Sequence, residues 1–152
     1  MTTFAHRDRV VVLISLAPRV VVERLVLVTL ELIVAGNAVG GAIYGLAGAK
    51  SVPREWLRGT PFHSYLVPSL ILLVAVGGST VLAATALLVR HRLAPEASFA
   101  AGLVLICWIA TQMLIIVPGG DFSWLQPAMF AVGLTLAVLA VRLRRDADPR
   151  PR

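Results

Sequence analysis

The sequence predicts an all-α membrane protein, a bundle of four transmembrane helices joined by short loops. Three observations lead to this fold class. Only 14% of the 152 residues are charged, whereas soluble domains average about 25%. Hydrophobic residues make up 58% of the chain, and the mean hydropathy is +0.85. These apolar residues are gathered into runs long enough to cross a bilayer, which takes about 20 helical residues.

This composition excludes several classes of protein. A chain this short has too little interior to hide so much apolar surface from water, so an ordinary soluble domain is excluded. The low charge content excludes intrinsic disorder, and the single cysteine, Cys107, excludes an intrachain disulfide. The formal net charge is +6, but the basic residues flank the apolar runs. They therefore indicate membrane orientation, and we predict no nucleic acid partner.

Residues 1–23 are predicted to form a cytoplasmic or interfacial segment. The apolar stretch 10–16 is too short to cross a membrane and is flanked by Arg7, Arg9 and Arg19. A signal peptide is the alternative, but no convincing small-residue cleavage site precedes the next apolar run. An interfacial segment that leads into the first span is therefore favoured.

Four apolar runs within residues 24–143 are predicted to form the transmembrane domain. They cover about residues 24–46, 65–89, 97–117 and 125–141. Each must be helical, because a single segment in lipid has to satisfy its own backbone hydrogen bonds. The remaining residues, 144–152, are predicted to form a basic cytoplasmic tail.

The arginines and lysines predict the orientation. Eleven lie on one side: four in the N-terminal flank up to Arg24, two in the second loop and five from Arg142 onward. The first loop has three and the third loop has none. Basic residues accumulate on the cytoplasmic side of membrane proteins. We therefore predict a multi-pass protein of the bacterial inner (plasma) membrane, with both termini in the cytoplasm.

Glu31 is the most informative polar residue. It lies seven residues after Arg24, roughly 10 Å deeper in the membrane at 1.5 Å per residue. An ionisable group at this position is costly and is a functional candidate by default. Structural alternatives are that Glu31 pairs with Arg24 or Arg142, or that it reaches the cytoplasmic interface. Its helix face carries small residues, which predicts burial against another helix: Ala35, Ala38, Ala42 and Gly45.

A polar partner is expected beside Glu31. Counted from the cytoplasmic ends of their helices, Thr135 of the fourth span and Thr85 of the second lie at a similar depth. We therefore expect a hydroxyl from one of these residues, or the guanidinium group of Arg24, next to the carboxyl group.

Two carboxamides are predicted to share one depth in the membrane. Asn37 lies 13 residues after Arg24, and Gln112 lies 15 residues after the start of the third span at Ala97. Both are then roughly 20 Å from the cytoplasmic face. We expect a hydrogen bond between them across the first and third helices. The alternative is that they bind the polar head of a ligand from the outer side.

Small residues recur along the first helix at a spacing of four, in Gly36-x-x-x-Gly40 and Gly41-x-x-x-Gly45. This spacing lets helix backbones approach closely. It predicts that the first helix is contacted from two directions, either within the chain or between copies of the protein. In the second span, Gly77 and Gly78 predict a packing notch, with a flexible point as the alternative.

No catalytic or metal-binding constellation is visible in the sequence. His6, His63 and His91 lie far apart, and none has a cysteine or aspartate at ligand spacing. The motifs of nucleotide-binding loops and of common hydrolases are absent. The sequence therefore predicts no catalytic residue, no metal ion and no other cofactor.

Two stretches carry a resemblance to known proteins: WLRGTPFHSYLVP at residues 56–68 and WIATQ at residues 108–112. They resemble small, uncharacterised four-span bacterial membrane proteins and, more faintly, the DoxX-like four-helix group. Some members of that group are linked to membrane redox systems. The resemblance covers about residues 24–142 and implies the four-span topology.

Three functions remain open from the sequence. A non-enzymatic accessory or scaffold subunit is favoured, because little of the chain lies outside the membrane and no catalytic cluster is present. Its partner would be another membrane protein or a second copy of itself. A small oligomeric transporter or channel would use Glu31. A lipid- or quinone-binding membrane enzyme would hold a head group between Trp108, Gln112 and Tyr44.

Overall fold

The computed structural model describes the backbone of residues 3–50, 52, 57, 62–116 and 124–147, and side chains within 19–50, 52, 57, 62–114 and 124–146. This described part contains helices and no β-strand. The elements are α1 (Thr3–Leu46), α2 (Leu66–Ile71), a π-helical segment (Leu72–Gly77), α3 (Gly78–Leu88), α4 (Ala94–Ile116) and α5 (Leu125–Ala147).

Four stretches of these helices are long and apolar enough to cross a membrane. They cover Arg19–Leu46, Leu66–Leu88, Ala94–Leu114 and Leu125–Asp146. The second consists of α2, the π-helical segment and α3, which follow one another without a break. The predicted all-α, four-span fold is confirmed, and the chain is a multi-pass membrane protein.

Helix α1 is longer than its transmembrane part. Its 44 residues correspond to about 66 Å, more than twice the thickness of a hydrocarbon core of about 30 Å. Residues 3–23 of the predicted cytoplasmic or interfacial segment are helical and continuous with the first span. The position of this segment relative to the membrane stays a prediction.

The four spans are arranged as a ring. Helix α1 packs against the second span on one side and against α5 on the other, while α4 packs against the second span and, most extensively, against α5. Helices α1 and α4 therefore lie diagonally across the centre of the bundle. The end of the bundle where α1 leads to α2 and α4 leads to α5 is called the loop end here. The opposite end, where a short turn joins α3 to α4, is called the turn end.

Two helices end in the same left-handed motif. At the end of α1, Gly48 has φ +93° and the N–H of Ala49 donates to the carbonyl of Tyr44. At the end of α3, Arg90 has φ 54° and the N–H of His91 donates to the carbonyl of Ala86. This arrangement satisfies carbonyl groups that a helix end otherwise leaves without partners. The ends of α1 and α3 therefore have hydrogen-bond donors for carbonyl groups of their last turns.

The π-helical segment widens one turn in the second span. Where it passes into α3, the hydroxyl of Thr80 donates to the carbonyls of Val76 at 2.8 Å and Gly77 at 3.0 Å. Ser79 also donates to the carbonyl of Val76. A Cβ on Gly77 would lie 3.4 Å from the Cβ of Ala38, so α1 contacts this point closely. Gly77 thus forms the predicted packing notch.

Leucine side chains close the core at the turn end. Leu27, Leu87, Leu136 and Leu143 come from α1, α3 and α5, and each is almost completely buried. Arg24 donates to the carbonyl of Leu87 at 3.2 Å, which caps the last turn of α3. On the surface of the same end, Glu96 and Arg144 pair at 3.4 Å. This end of the bundle is therefore tightly packed.

Candidate binding cavity and buried carboxyl group

A cavity of about 310 Å³ lies inside the bundle near the loop end. All four spans line it, and none of the described residues in its wall is charged. Most of the wall is apolar, with a small number of polar or aromatic groups. Those groups are Asn37, Tyr44, Tyr65, Ser69, Trp108, Gln112 and Gln126. Apolar pockets of this size with a few polar groups are typical binding sites for small molecules.

Small residues and the π-helical segment shape one wall of the cavity. Gly45 lies directly against the side chain of Ser69, so a Cβ there would lie 3.1 Å from the Cβ of Ser69. A Cβ on Gly41 would lie 2.9 Å from Cδ2 of Leu72. Ser69 itself donates to the carbonyl of Tyr65 at 2.6 Å. The second glycine pair predicted to serve close packing, Gly41 and Gly45, therefore serves it within the chain.

Asn37 and Gln112 both line the cavity, but no hydrogen bond joins these two described side chains. The amide of Asn37 donates instead to the carbonyl of Ile33, in its own helix, at 3.0 Å. Of the two expectations for these carboxamides, the direct bond is wrong. The alternative, that they line a site for a polar head, agrees with their position in the cavity wall.

The relative depths of α1 and α4 explain why the bond is absent. Ser98 of α4 interacts with Glu31 of α1, so these two residues lie at one level. Gln112 is then about 21 Å beyond that level, whereas Asn37 is only about 9 Å beyond it. The sequence estimate placed them together because it took Arg24 and Ala97 to be level, whereas Arg24 lies about 10 Å and Ala97 about 1.5 Å before the level of Glu31 and Ser98.

Glu31 is completely buried, with 0% of its surface exposed. The predicted burial is thus confirmed. Neither carboxyl oxygen has a hydrogen-bond partner. The residue lies about 22 Å from Leu46, where the first span ends at the loop end.

The expected partners of Glu31 are wrong. Thr135 lies on the outer surface of α5 and donates to the carbonyl of Ala131, at 2.8 Å. Thr85 does the same with the carbonyl of Val81, and Arg24 caps α3. A threonine hydroxyl in an apolar helix satisfies itself on the preceding turn, so equal depth alone does not bring it to a partner.

Ser98, which the sequence analysis missed, is the polar group that lies beside Glu31. Its hydroxyl is close enough to interact with the carboxyl group, but the two do not reach the distance and angle of a hydrogen bond. Ser98 is also completely buried and without a partner. Ser98 shares a face of α4 with the buried residues Ala101, Leu105 and Ile109, but the sequence alone does not show that this face lies opposite Glu31.

The buried carboxyl group lies just beneath the cavity. Val34 lines the cavity and is one helical turn from Glu31 on the same face of α1. Val76 and Leu105 also line the cavity and are almost completely buried. Along α1, the turn that ends at Val34 separates Glu31 from the cavity.

Within the described residues, no three histidine, cysteine, aspartate or glutamate side chains lie together as metal ligands. Comparison with protein-family models, with curated proteins and with solved structures finds no match. The resemblance to the DoxX-like group therefore stays a prediction.

Proposed function

We propose that this protein binds an amphipathic molecule of the bilayer, a lipid or a quinone, in the cavity between its four spans. The observation that carries the proposal is the cavity itself, which every span helps to line. The apolar wall suits a hydrocarbon chain. The carboxamides of Asn37 and Gln112 and the indole of Trp108 suit a head group that accepts or donates hydrogen bonds.

The absence of charged residues from the described cavity wall favours one class of ligand. With no charged residue among the described lining, a head that carries a net charge would have no partner of opposite sign there. Burying such a head is costly. The preferred ligand thus has an uncharged head, and the resemblance to the DoxX-like group favours a quinone.

Mass spectrometry of the gently solubilised protein tests this proposal. We expect an amphipathic molecule to co-purify with the wild type and to be depleted in Asn37→Leu/Gln112→Leu. Loss of two hydrogen bonds, each worth about 1 kcal/mol, should lower the affinity roughly 30-fold. Thr135→Val is the matched control, because it removes a polar group from the outer surface. Equal retention by wild type, double variant and control would contradict the proposal.

A second candidate function, the accessory or scaffold subunit, rests on the other glycine pair. Gly36 and Gly40 are exposed on α1, and a Cβ on either would meet nothing within 4 Å. This pair leaves room for another helix to approach the backbone. If copies associate here, Gly36→Ile should dissociate them in a nanodisc energy-transfer assay. Ala131→Ile, on the exposed face of α5, should not. Equal energy transfer in both variants would contradict this function.

For the orientation, we propose that the loop end faces the outside of the cell and that both termini are cytoplasmic. The distribution of arginine and lysine supports it. The cavity would then open in the outer leaflet of the inner membrane. A bilayer-borne ligand would enter from that leaflet.

A further inference from the structure

Glu31 and Ser98 have no role in the cavity and none in helix capping. They lie on opposite helices of the ring, α1 and α4, and meet at its centre. Both are completely buried, and both lack a hydrogen-bond partner. Two unpartnered polar groups that face one another in an apolar core can still form hydrogen bonds, so an additional group or ion could bind between them.

No cation in the described part of the chain reaches Glu31. On its own helix, Arg24 is engaged with the carbonyl of Leu87 and Arg19 is exposed. From α4, Glu96 faces the surface and pairs with Arg144 of α5. Glu23, two turns before Glu31 on α1, is half-buried and carries no positive charge. The other charged groups of the packed elements are exposed at the turn end: Arg90, Arg92, Arg142, Arg145 and Asp146.

A metal ion does not fit this position either. Hard cations need several oxygen ligands, commonly six or more. Around Glu31 the buried neighbours on its own face are Leu27, Val34 and Ala35. The side chain of Ser98 supplies one further oxygen, and the helix carbonyls are occupied by backbone bonds. A proton needs only one oxygen, so it is the cation that the site accommodates.

We propose that Glu31 and Ser98 form a proton-binding site at the centre of the bundle, which exchanges its proton with water through the cavity. One proton from water adds to the Glu31 carboxylate, and the buried charge changes from −1 to zero. The O–H of the resulting carboxyl group donates to Oγ of Ser98. Release returns the same proton to water.

The packing supports exchange through the loop end. On that side Val34, one helical turn from Glu31, already lines the cavity, and Leu27, one turn away in the other direction, is completely buried. On the other side, the leucine core and Ala94 are buried all the way to the turn end. A small displacement of the Val34 side chain would open a route from the cavity to the carboxyl group.

Infrared difference spectroscopy of the protein in lipid vesicles tests the site. We expect a carbonyl band of a protonated carboxyl group at neutral pH that is lost in Glu31→Gln. The band should disappear when the pH on the cavity side is raised, and Ser98→Ala should shift it because a hydrogen bond is lost. Glu96→Gln is the matched control, since that carboxyl group is paired with Arg144 at the turn end, and it should leave the band unchanged.

Two results would overturn the proposal. One is that no carboxyl band depends on Glu31 at any pH at which the protein is folded. The other is that the band does not respond to pH on the cavity side. Glu31→Gln has nearly the shape of the neutral acid and is expected to fold, and circular dichroism checks this. The test uses no bound ligand, so its outcome is separate from that of the proposed function.

Discussion

The residue that departs most from its surroundings is Glu31. The carboxyl group has neither an ion pair nor a hydrogen bond, although it lies at the centre of four apolar helices. Replacing a buried polar group that has poor partners with an apolar side chain of similar volume is often neutral or stabilising. Glu31 is therefore a group that the fold tolerates rather than one that holds it together.

Glu31→Met should accordingly raise the free energy of unfolding, by about 1–2 kcal/mol. Unfolding in detergent micelles, by heat or by added dodecyl sulfate, measures this change. Glu96→Met, which removes an exposed ion pair, should change stability by less than about 1 kcal/mol. A loss of more than about 2 kcal/mol in Glu31→Met would show that the carboxyl group makes stabilising contacts.

For single residues, the sequence predicts whether a polar side chain is buried better than it predicts which group lies beside that side chain. The small residues on the face of Glu31 were sufficient to predict that it points inward. The choice of Thr135 failed, because depth along a helix does not say which way a side chain points. Ser98 could be identified only once α4 was known to lie diagonally opposite α1.

Among the elements, α4 and α5 make the closest backbone approach. A Cβ on Gly102 would lie 2.9 Å from the carbonyl oxygen of Gly133 and 3.0 Å from the backbone nitrogen of Ala137. Both neighbours are backbone atoms, which cannot rotate away. The crossing therefore depends on glycine at both positions.

Gly102→Ala should destabilise the protein by about 1–3 kcal/mol, the usual cost of overpacking. Gly78→Ala is the matched control, because nothing lies within 4 Å of the added methyl group. There the higher helix propensity of alanine should leave stability unchanged or slightly raised. Unfolding in micelles compares the two variants. Equal stability of both would mean that α4 and α5 are not in close contact.

The sequence predicts the features of the helices that depend on hydropathy. It does not predict the features that depend on contacts between two helices. The end of the first span at Leu46 and the start of the fourth at Leu125 were predicted correctly. The contact of Gly102 with Gly133 could not be predicted, because each is a single glycine whose close contact is with the other helix. The π-helical segment was not predicted either. Its altered backbone hydrogen bonding leaves no recognisable pattern of apolar and polar residues in the sequence.

For the molecule as a whole, the orientation in the membrane decides which leaflet the cavity faces. In a Cys107→Ala background, Ser64→Cys at the loop end should react with an impermeant maleimide added to intact cells. Asp146→Cys at the turn end should react only after the cells are opened. Both positions are exposed in the structure. The reverse pattern would place the cavity on the cytoplasmic side.

Fluorescence of Trp108 tests the binding cavity most directly, because this indole lies in its wall. Replacing Trp56 and Trp124 with phenylalanine leaves Trp108 as the single tryptophan. Titration with decylubiquinone in nanodiscs should give quenching that saturates, and Gln112→Leu should shift the midpoint to roughly fivefold higher concentration, corresponding to about 1 kcal/mol. Quenching that rises linearly without saturation and is equal in both proteins would show only collisions in the lipid, and would contradict binding in the cavity.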